Sequence, residues 1–225
     1  MAIISHDHRF IFVHIPKTAG TSINRALLSQ DVPLYKKAVR KLTHLHTRLL
    51  PGPASPRLSQ PPIPKHAKAK DIKKMVGKKI WNSYFTFAIV RNPWDLMVSS
   101  YHWWLQHAEI WEKLQPYHDA VRAMDGFDRF IQSDFGRERI NEARGDIFDW
   151  LTDENGTIIV DYVARYEQLQ DEYNKICQIT GIPPASLPQT NTTRRSDYRD
   201  YYDDQSQKLV QERFHRTIKQ FGYSF

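Results

Sequence analysis

The run Tyr84 to Val90, Tyr-Phe-Thr-Phe-Ala-Ile-Val, constrains the fold of this 225-residue chain more than any other stretch. It is strand-sized, almost continuously apolar, and rich in aromatic and β-branched residues, the pattern of a strand covered on both faces in a parallel sheet. The residues after it are equally definite. Asn92 is placed to cap a helix, Pro93 suits the first helical position, and Asp95 stands three residues after the cap, where an acid meets free backbone N–H groups. The helix is expected to reach about Gln106. A central strand that ends in Arg91 and turns at once into a capped helix is one unit of an α/β sheet.

Other units lie along the chain. Phe10 to His14 is a β-rich run that meets the loop Pro16 to Ser22 and then a helical stretch, Ser22 to Leu28. Lys65 to Val76 is helical in character, with Gly77 as its stop. Thr157 to Val163 reads as a strand. Glu167 to Ile179 reads as a helix with Leu169, Tyr173, Ile176 and Cys177 on one face, ended by Gly181 and Pro183. Gln205 to Phe221 completes the series with Val210, Phe214, Ile218 and Phe221 at helical spacing. Alternating strands and helices predict one α/β domain over residues 1–225, a central parallel sheet with helices on both faces. Six of the thirteen prolines fall between Pro51 and Pro64, so about 51–64 is expected to be a mobile surface loop.

Composition narrows the class. With 40% hydrophobic and 25% charged residues the chain is globular in character, and no apolar run approaches the roughly 20 residues of a membrane span. The first ten residues lack the basic flank and long apolar segment of a leader. Cys177, the single cysteine, forms no internal disulfide and excludes a Cys-rich zinc site, so a cytoplasmic, reducing location is expected. The net charge of +7 is concentrated: Lys36 to Ile80 holds thirteen Lys or Arg against one acid, Asp71. Such a segment suits an anionic partner or a solvated helix face.

Two motifs carry chemistry. Lys17-Thr18-Ala19-Gly20-Thr21-Ser22 lies between a strand end and a helix start, where backbone N–H groups and the positive helix end make an anion site, to which Lys17, Thr18, Thr21 and Ser22 add side-chain donors and Gly20 close approach. This is not a Walker A loop, because Lys17 precedes Gly20 instead of following it. Arg91, at the end of the central strand, and Ser99, eight residues on, form the second motif. Ligands gather beyond the carboxyl ends of parallel strands, so the two motifs converge if their strands are neighbours. A P-loop kinase would normally carry a magnesium-binding Asp there; this strand ends in Arg91.

These motifs give the chain a resemblance. His14 to Ser22 resembles the 5′-phosphosulfate loop of sulfotransferases that use 3′-phosphoadenosine 5′-phosphosulfate (PAPS), and Arg91 with Ser99 is similar to their 3′-phosphate motif. Val163 to Ile182, Leu187 to Tyr202 and the terminal Phe-Gly-Tyr-Ser-Phe resemble bacterial relatives of the carbohydrate 2-O-sulfotransferase branch; residues 33–64 match nothing comparable. The resemblance implies a P-loop NTPase-like fold and a metal-free transfer of a sulfuryl group from PAPS to a hydroxyl, of a carbohydrate in particular. It also implies that Asn191 to Tyr198 closes over the nucleotide, with Arg194 or Arg195 near a phosphate.

Such a transfer needs a base for the acceptor proton and a cation for the leaving phosphate. His66, ahead of a helical stretch as in the relatives, is the expected base, and Lys17 the cation. His6-Asp7-His8 and His44-Leu45-His46 read as solvated, not as metal ligands; His14 reads as packed. Trp94, Trp103, Trp104 and Trp111 are expected mainly in the core, Cys177 likewise, and Arg165 with Glu167 serves either structure or site. The basic run around His66 suggests an anionic glycan as acceptor. The rival readings are a P-loop nucleotide kinase and a basic nucleic-acid-binding protein, for which no recognised reading module is present.

Overall fold

A computed structural model describes residues 2–30, 63–106, 114–188 and 195–225. The strands are β1 (Ile3–Ser5), β2 (Phe10–Val13), β3 (Phe85–Val90), β4 (Arg139–Ile140), β5 (Ala143–Arg144) and β6 (Tyr162–Arg165). The main sheet has the order β1-β2-β3-β6, with β2, β3 and β6 parallel and β1 antiparallel at the edge; β4 and β5 form a separate hairpin. The sheet is thus central and mostly parallel, and β3 sits inside it as its composition requires.

Helices cover both faces because the strands alternate between two cores. Ile11, Val13, Ala88 and Val90 join one core with Ile72 of helix Ala69–Ser83, Trp94 and Met97 of helix Pro93–Gln106, and Val210 of helix Asp204–Arg213. Phe10, Phe12, Phe87 and Ile89 join the other with Ile23 and Leu27 of helix Gly20–Gln30 and Tyr173, Ile176 and Cys177 of helix Leu169–Thr180. Every residue of β2 is fully buried. Each such aliphatic or phenyl side chain contributes about 1.5–3 kcal/mol by leaving water.

Several boundaries differ from the sequence reading. The helix expected from Lys65 begins at Ala69 and is interrupted at Gly77 as expected, where the backbone leaves helical geometry (φ 82°); a second helical segment, not expected, follows directly to Ser83 and buries Trp81. The strand expected from Thr157 starts at Tyr162: the Asp161 carboxylate accepts from both the backbone N–H and the hydroxyl of Thr86, at 2.8 Å each, and ahead of it only an isolated bridge, Thr152 to Ile158, is formed. The helix expected from Glu167 begins at Leu169, after a 3-10 turn over Tyr166–Gln168. The last helix is two, Asp204–Arg213 and His215–Phe221, separated by the buried, non-helical Phe214. Strand β1, only three residues long, has no sequence signal.

The helix after β3 covers Pro93–Gln106 as expected, and the Asn92 side chain accepts from the Trp94 N–H at 3.0 Å. The loop at about 51–64, apart from its last two residues, and His44, His46, Trp111 and Arg194 lie outside the described residues, as does the first part of the basic run. No helix among the described residues is long and apolar enough to cross a membrane.

Candidate active site

β2 and β3 are neighbours in register, Phe10 beside Phe85 through Val13 beside Ala88, so the loop leaving β2 and the turn leaving β3 emerge at the same end of the sheet. Between them lies a cleft of about 400 Å³. It is lined by Pro16, Lys17 and Ala19 to Ser22 from the loop, by Arg91, Ser99 and Trp103, and by His66 and Asn141. Leu169, Gln170, Leu187 and Pro188 line the remainder.

The loop is bent by two left-handed residues, Lys17 (φ 63°) and Ala19 (φ 61°). Alternating left-handed and ordinary conformations turn successive N–H groups toward one point, and helix Gly20–Gln30 adds its positive end. The Lys17 amine is buried beside Arg91 and Arg195, and burial first, then these two cations, pull its pKa down to about 7. It stands 6.0 Å from the Trp103 ring centre. Thr18 departs from its expected role: its hydroxyl donates to the Ile15 carbonyl at 3.0 Å, so the side chain closes the loop from inside and is absent from the cleft lining.

Arg91 is held from three sides. Its Nε and one terminal nitrogen each donate to Asp95 Oδ2 at 2.7 Å, the other terminal nitrogen donates to the Lys17 carbonyl at 2.9 Å, and the guanidinium lies 3.9 Å over the Tyr166 ring. The Lys17 contact ties the two motifs together directly. Asp95 also accepts from Arg195, whose other terminal nitrogen is buried without a hydrogen-bond partner among the described residues. Two guanidiniums therefore share one carboxylate. Tyr198 is placed elsewhere: it lines a second cavity with Asn92, Arg165 and Glu167, and its hydroxyl accepts a 3.4 Å contact from the Asn92 amide.

His66 precedes helix Ala69–Ser83. Its Nδ1 is 3.2 Å from the His14 carbonyl, its Nε2 is 3.2 Å from Glu142 Oε1, and its own carbonyl accepts from the Trp150 indole at 3.0 Å. The His14 ring packs against the His66 ring at 4.7 Å, and burial, then the neighbouring His66, push its pKa down to about 2, so it stays neutral. Gly20 owes its identity to this ring: a Cβ there would stand 1.8 Å from His14 Nε2.

Asp95, Glu142 and Tyr166 join the site without having been expected there. The sequence marks Asp95 only as a helix-start acid, and Glu142 arrives through the β4–β5 hairpin, which has no local signal. Arg165 and Glu167 are structural. The Arg165 guanidinium donates to the Phe221 carbonyl and covers the Tyr223 ring, while Glu167 accepts from the Asn92 N–H at 2.6 Å and the Tyr223 hydroxyl at 3.2 Å. Trp94 and Trp104 are core residues as expected, whereas Trp103 faces the cleft. His6 contacts the Tyr84 hydroxyl and His8 the Thr180 carbonyl, and no metal-ligating cluster is present among the described residues.

Similarity to known proteins points the same way. The chain is 27% identical over 130 residues to an uncharacterised protein of Archaeoglobus fulgidus, covering 57% of this chain and 93% of that protein. It is 25% identical over 250 residues to carbohydrate sulfotransferase 10 of Xenopus laevis, covering 98% of this chain; the match spans 66% of the Xenopus protein's length. No solved structure matches. The model of the sulfotransferase family matches residues 1–224, and the chain belongs to that family.

Proposed function

We propose that the chain transfers a sulfuryl group from PAPS to a hydroxyl of a carbohydrate, and that residues 1–225 form a single domain of the P-loop-like sulfotransferase fold. The observation that carries the reading is the convergence, in one cleft, of the Lys17 amine at a helix start, Arg91 and Arg195 on a shared carboxylate, and the His66 ring. The donor set fits a co-substrate with two separate phosphates. The loop Lys17 to Ser22 would hold the 5′-phosphosulfate. Arg91 and Ser99, with Arg195 offering an unpartnered nitrogen, would hold the 3′-phosphate. PAPS, when bound, supplies the sulfuryl group and a bisphosphate leaving group.

The chain's own residues then have distinct work. Lys17 supplies positive charge where negative charge grows on the leaving oxygen, and as an ammonium it offers that oxygen a proton donor. Arg91, already braced by Asp95 and Tyr166, needs no reorganisation to receive a phosphate. The acceptor's proton is taken at the His66 end of the cleft, where Nδ1–H is fixed by the His14 carbonyl. Protein cations thus carry the charge that magnesium carries in phosphoryl transfer. An anionic glycan is the proposed acceptor. Lys65 lines the cleft, while Lys68, just ahead of the following helix, and Lys74 on it are partly neutralised by Asp149 and Glu154.

Adenosine 3′,5′-bisphosphate, the donor product, is expected to bind with a micromolar or tighter Kd. At about 100 times Kd it should stabilise the fold by about 2.7 kcal/mol. AMP, which lacks the 3′-phosphate, should do far less. Thermal unfolding with each nucleotide is the test, and equal stabilisation by AMP rejects the roles of Arg91 and Ser99.

The Lys17 amine gives a pH signature. With its pKa near 7 in the empty cleft, it is mostly neutral at pH 8, and a bound phosphate draws a proton back onto it. Binding of the bisphosphate at pH 8 should therefore take up a proton, and affinity should fall as pH rises above about 7. Calorimetry in buffers of different ionisation enthalpy measures the uptake; none between pH 7 and 9 removes Lys17 from the phosphate site.

A further inference from the structure

Trp103 lines the cleft and is only partly buried, and neither the phosphate roles nor the proton role assigned above uses it. Its neighbours hold it in one orientation. The fully buried Trp104 ring meets it edge-on, 4.8 Å between centres and 79° between planes, and the fully buried His118 ring lies tilted against it at 5.4 Å. His118 is tied in turn to the Trp104 carbonyl through Nδ1 at 2.6 Å. An indole backed in this way is already ordered before a ligand arrives, so binding on it costs little side-chain entropy.

Two independent contacts place Trp103 on the reacting side of the cleft. The Lys17 amine stands 6.0 Å over its ring centre. On the helix, Ser100 is three residues before Trp103, and positions three apart share one surface. The Ser100 hydroxyl accepts from the Asn141 N–H at 3.1 Å and donates to Asn141 Oδ1 at 2.9 Å, and the next residue, Glu142, meets His66 Nε2 at 3.2 Å. Trp103 is thus bracketed by the cation assigned to the leaving oxygen and by the hairpin that touches the proposed base. Sulfur must travel between those two groups, so a ring beside them meets the acceptor and not the adenine.

The chemistry of the surface selects the acceptor. An indole face is apolar and carries the negative side of the ring quadrupole. A pyranose gathers C–H bonds, slightly positive and poorly hydrated, on a face of its ring, while its hydroxyls point outward from the rim. The two surfaces match. Asn141 and His66 line the same cleft and can meet the rim, and Lys17 and Lys65 supply positive charge for a carboxylate or sulfate on the sugar. On the reading of the chain as a PAPS-dependent sulfotransferase of carbohydrates, we propose that Trp103 is the platform for the acceptor: the monosaccharide that receives the sulfuryl group stacks its C–H face on the indole. The residue determines which acceptors are used and takes no part in proton transfer.

The test compares Trp103→Leu, which stays apolar against Trp104 and His118 but removes the aromatic face, with Trp103→Phe, which keeps a smaller one. Labelled sulfuryl transfer from PAPS is measured with a panel of uncharged, uronic-acid-containing and partly sulfated oligosaccharides. For an oligosaccharide the wild type uses, acceptor KM should rise on the order of tenfold in Trp103→Leu and about threefold in Trp103→Phe, with kcat within about threefold. Affinity for adenosine 3′,5′-bisphosphate should also stay within about threefold. A Trp103→Leu KM within about twofold of the wild type overturns this inference alone. So does an equal loss of bisphosphate affinity, which would assign the ring to the nucleotide or to support of Lys17. Fluorine NMR of protein labelled with 5-fluorotryptophan gives a readout independent of turnover. In the bisphosphate complex the Trp103 resonance should shift on adding the oligosaccharide while those of the buried Trp81 and Trp94 stay in place; a Trp103 resonance that does not move overturns the proposal. A wild type that binds the bisphosphate but transfers to no oligosaccharide overturns the carbohydrate reading and this inference with it. One that neither binds the bisphosphate nor consumes PAPS defeats the donor assignment, and the fluorine titration, made without nucleotide, would still decide the sugar contact.

Discussion

Replacing His66 by alanine should lower sulfuryl transfer by about 10²- to 10⁴-fold while leaving affinity for adenosine 3′,5′-bisphosphate within about threefold. The split reflects where the ring sits. His66 touches the His14 carbonyl, Glu142 and the end of the cleft, and shares no hydrogen bond with Lys17, Arg91 or Asp95, the groups assigned to phosphate. Its backbone is anchored separately through the Trp150 indole, so truncating the ring spares the local fold. Loss of both turnover and nucleotide binding in equal measure would show that the ring supports the loop and has no part in proton transfer.

Gly20→Ala should have the largest structural effect. The added methyl would overlap the His14 imidazole at 1.8 Å from Nε2 and 2.0 Å from Cδ2. The ring has little room to yield, being stacked on Phe12 at 5.8 Å and against His66 at 4.7 Å. Overpacking of this kind costs roughly 1–3 kcal/mol, occasionally more, and here it also displaces the helix start that lines the cleft. Chemical denaturation and bisphosphate binding should both report the damage. The double variant His14→Ala with Gly20→Ala should regain stability relative to Gly20→Ala alone, since the first change vacates the space the second needs; purely additive losses would mean the clash is relieved elsewhere.

These two positions also show what the chain discloses by itself. The strand β3, Arg91 and the Asn92-Pro93-Asp95 helix start are legible because the signals are local: an apolar run, a cap and a proline close together in sequence. The loop from Pro16 to Ser22, between a strand end and a helix start, is legible for the same reason. Gly20 reads as room for a ligand, yet the ring that fills the room belongs to His14, at the end of the preceding strand, and no spacing rule announces it. Glu142 is invisible because a two-residue hairpin and one serine on a distant helix place it. The break at Phe214 is hidden because the apolar spacing continues smoothly across it, and tertiary packing, not propensity, sets the bend.

The helix that carries Arg91's partner is finished by segments far along the chain. Trp94 donates its indole N–H to the Gln207 carbonyl and accepts from the Tyr202 hydroxyl at its own carbonyl, the Asn92 amide donates to the Ser224 carbonyl, and Arg195 closes on Asp95 from 100 residues away in sequence. During synthesis, then, the sheet and the first motif emerge early, but the site around Arg91 waits for residues 195 to 224 to leave the ribosome and dock. Until that happens Asp95 has a single guanidinium to balance and the Trp94 face lies open to water. A chain cut short before Arg195 would lack both the second guanidinium on Asp95 and the Val210 and Phe214 side chains that cover one face of the sheet.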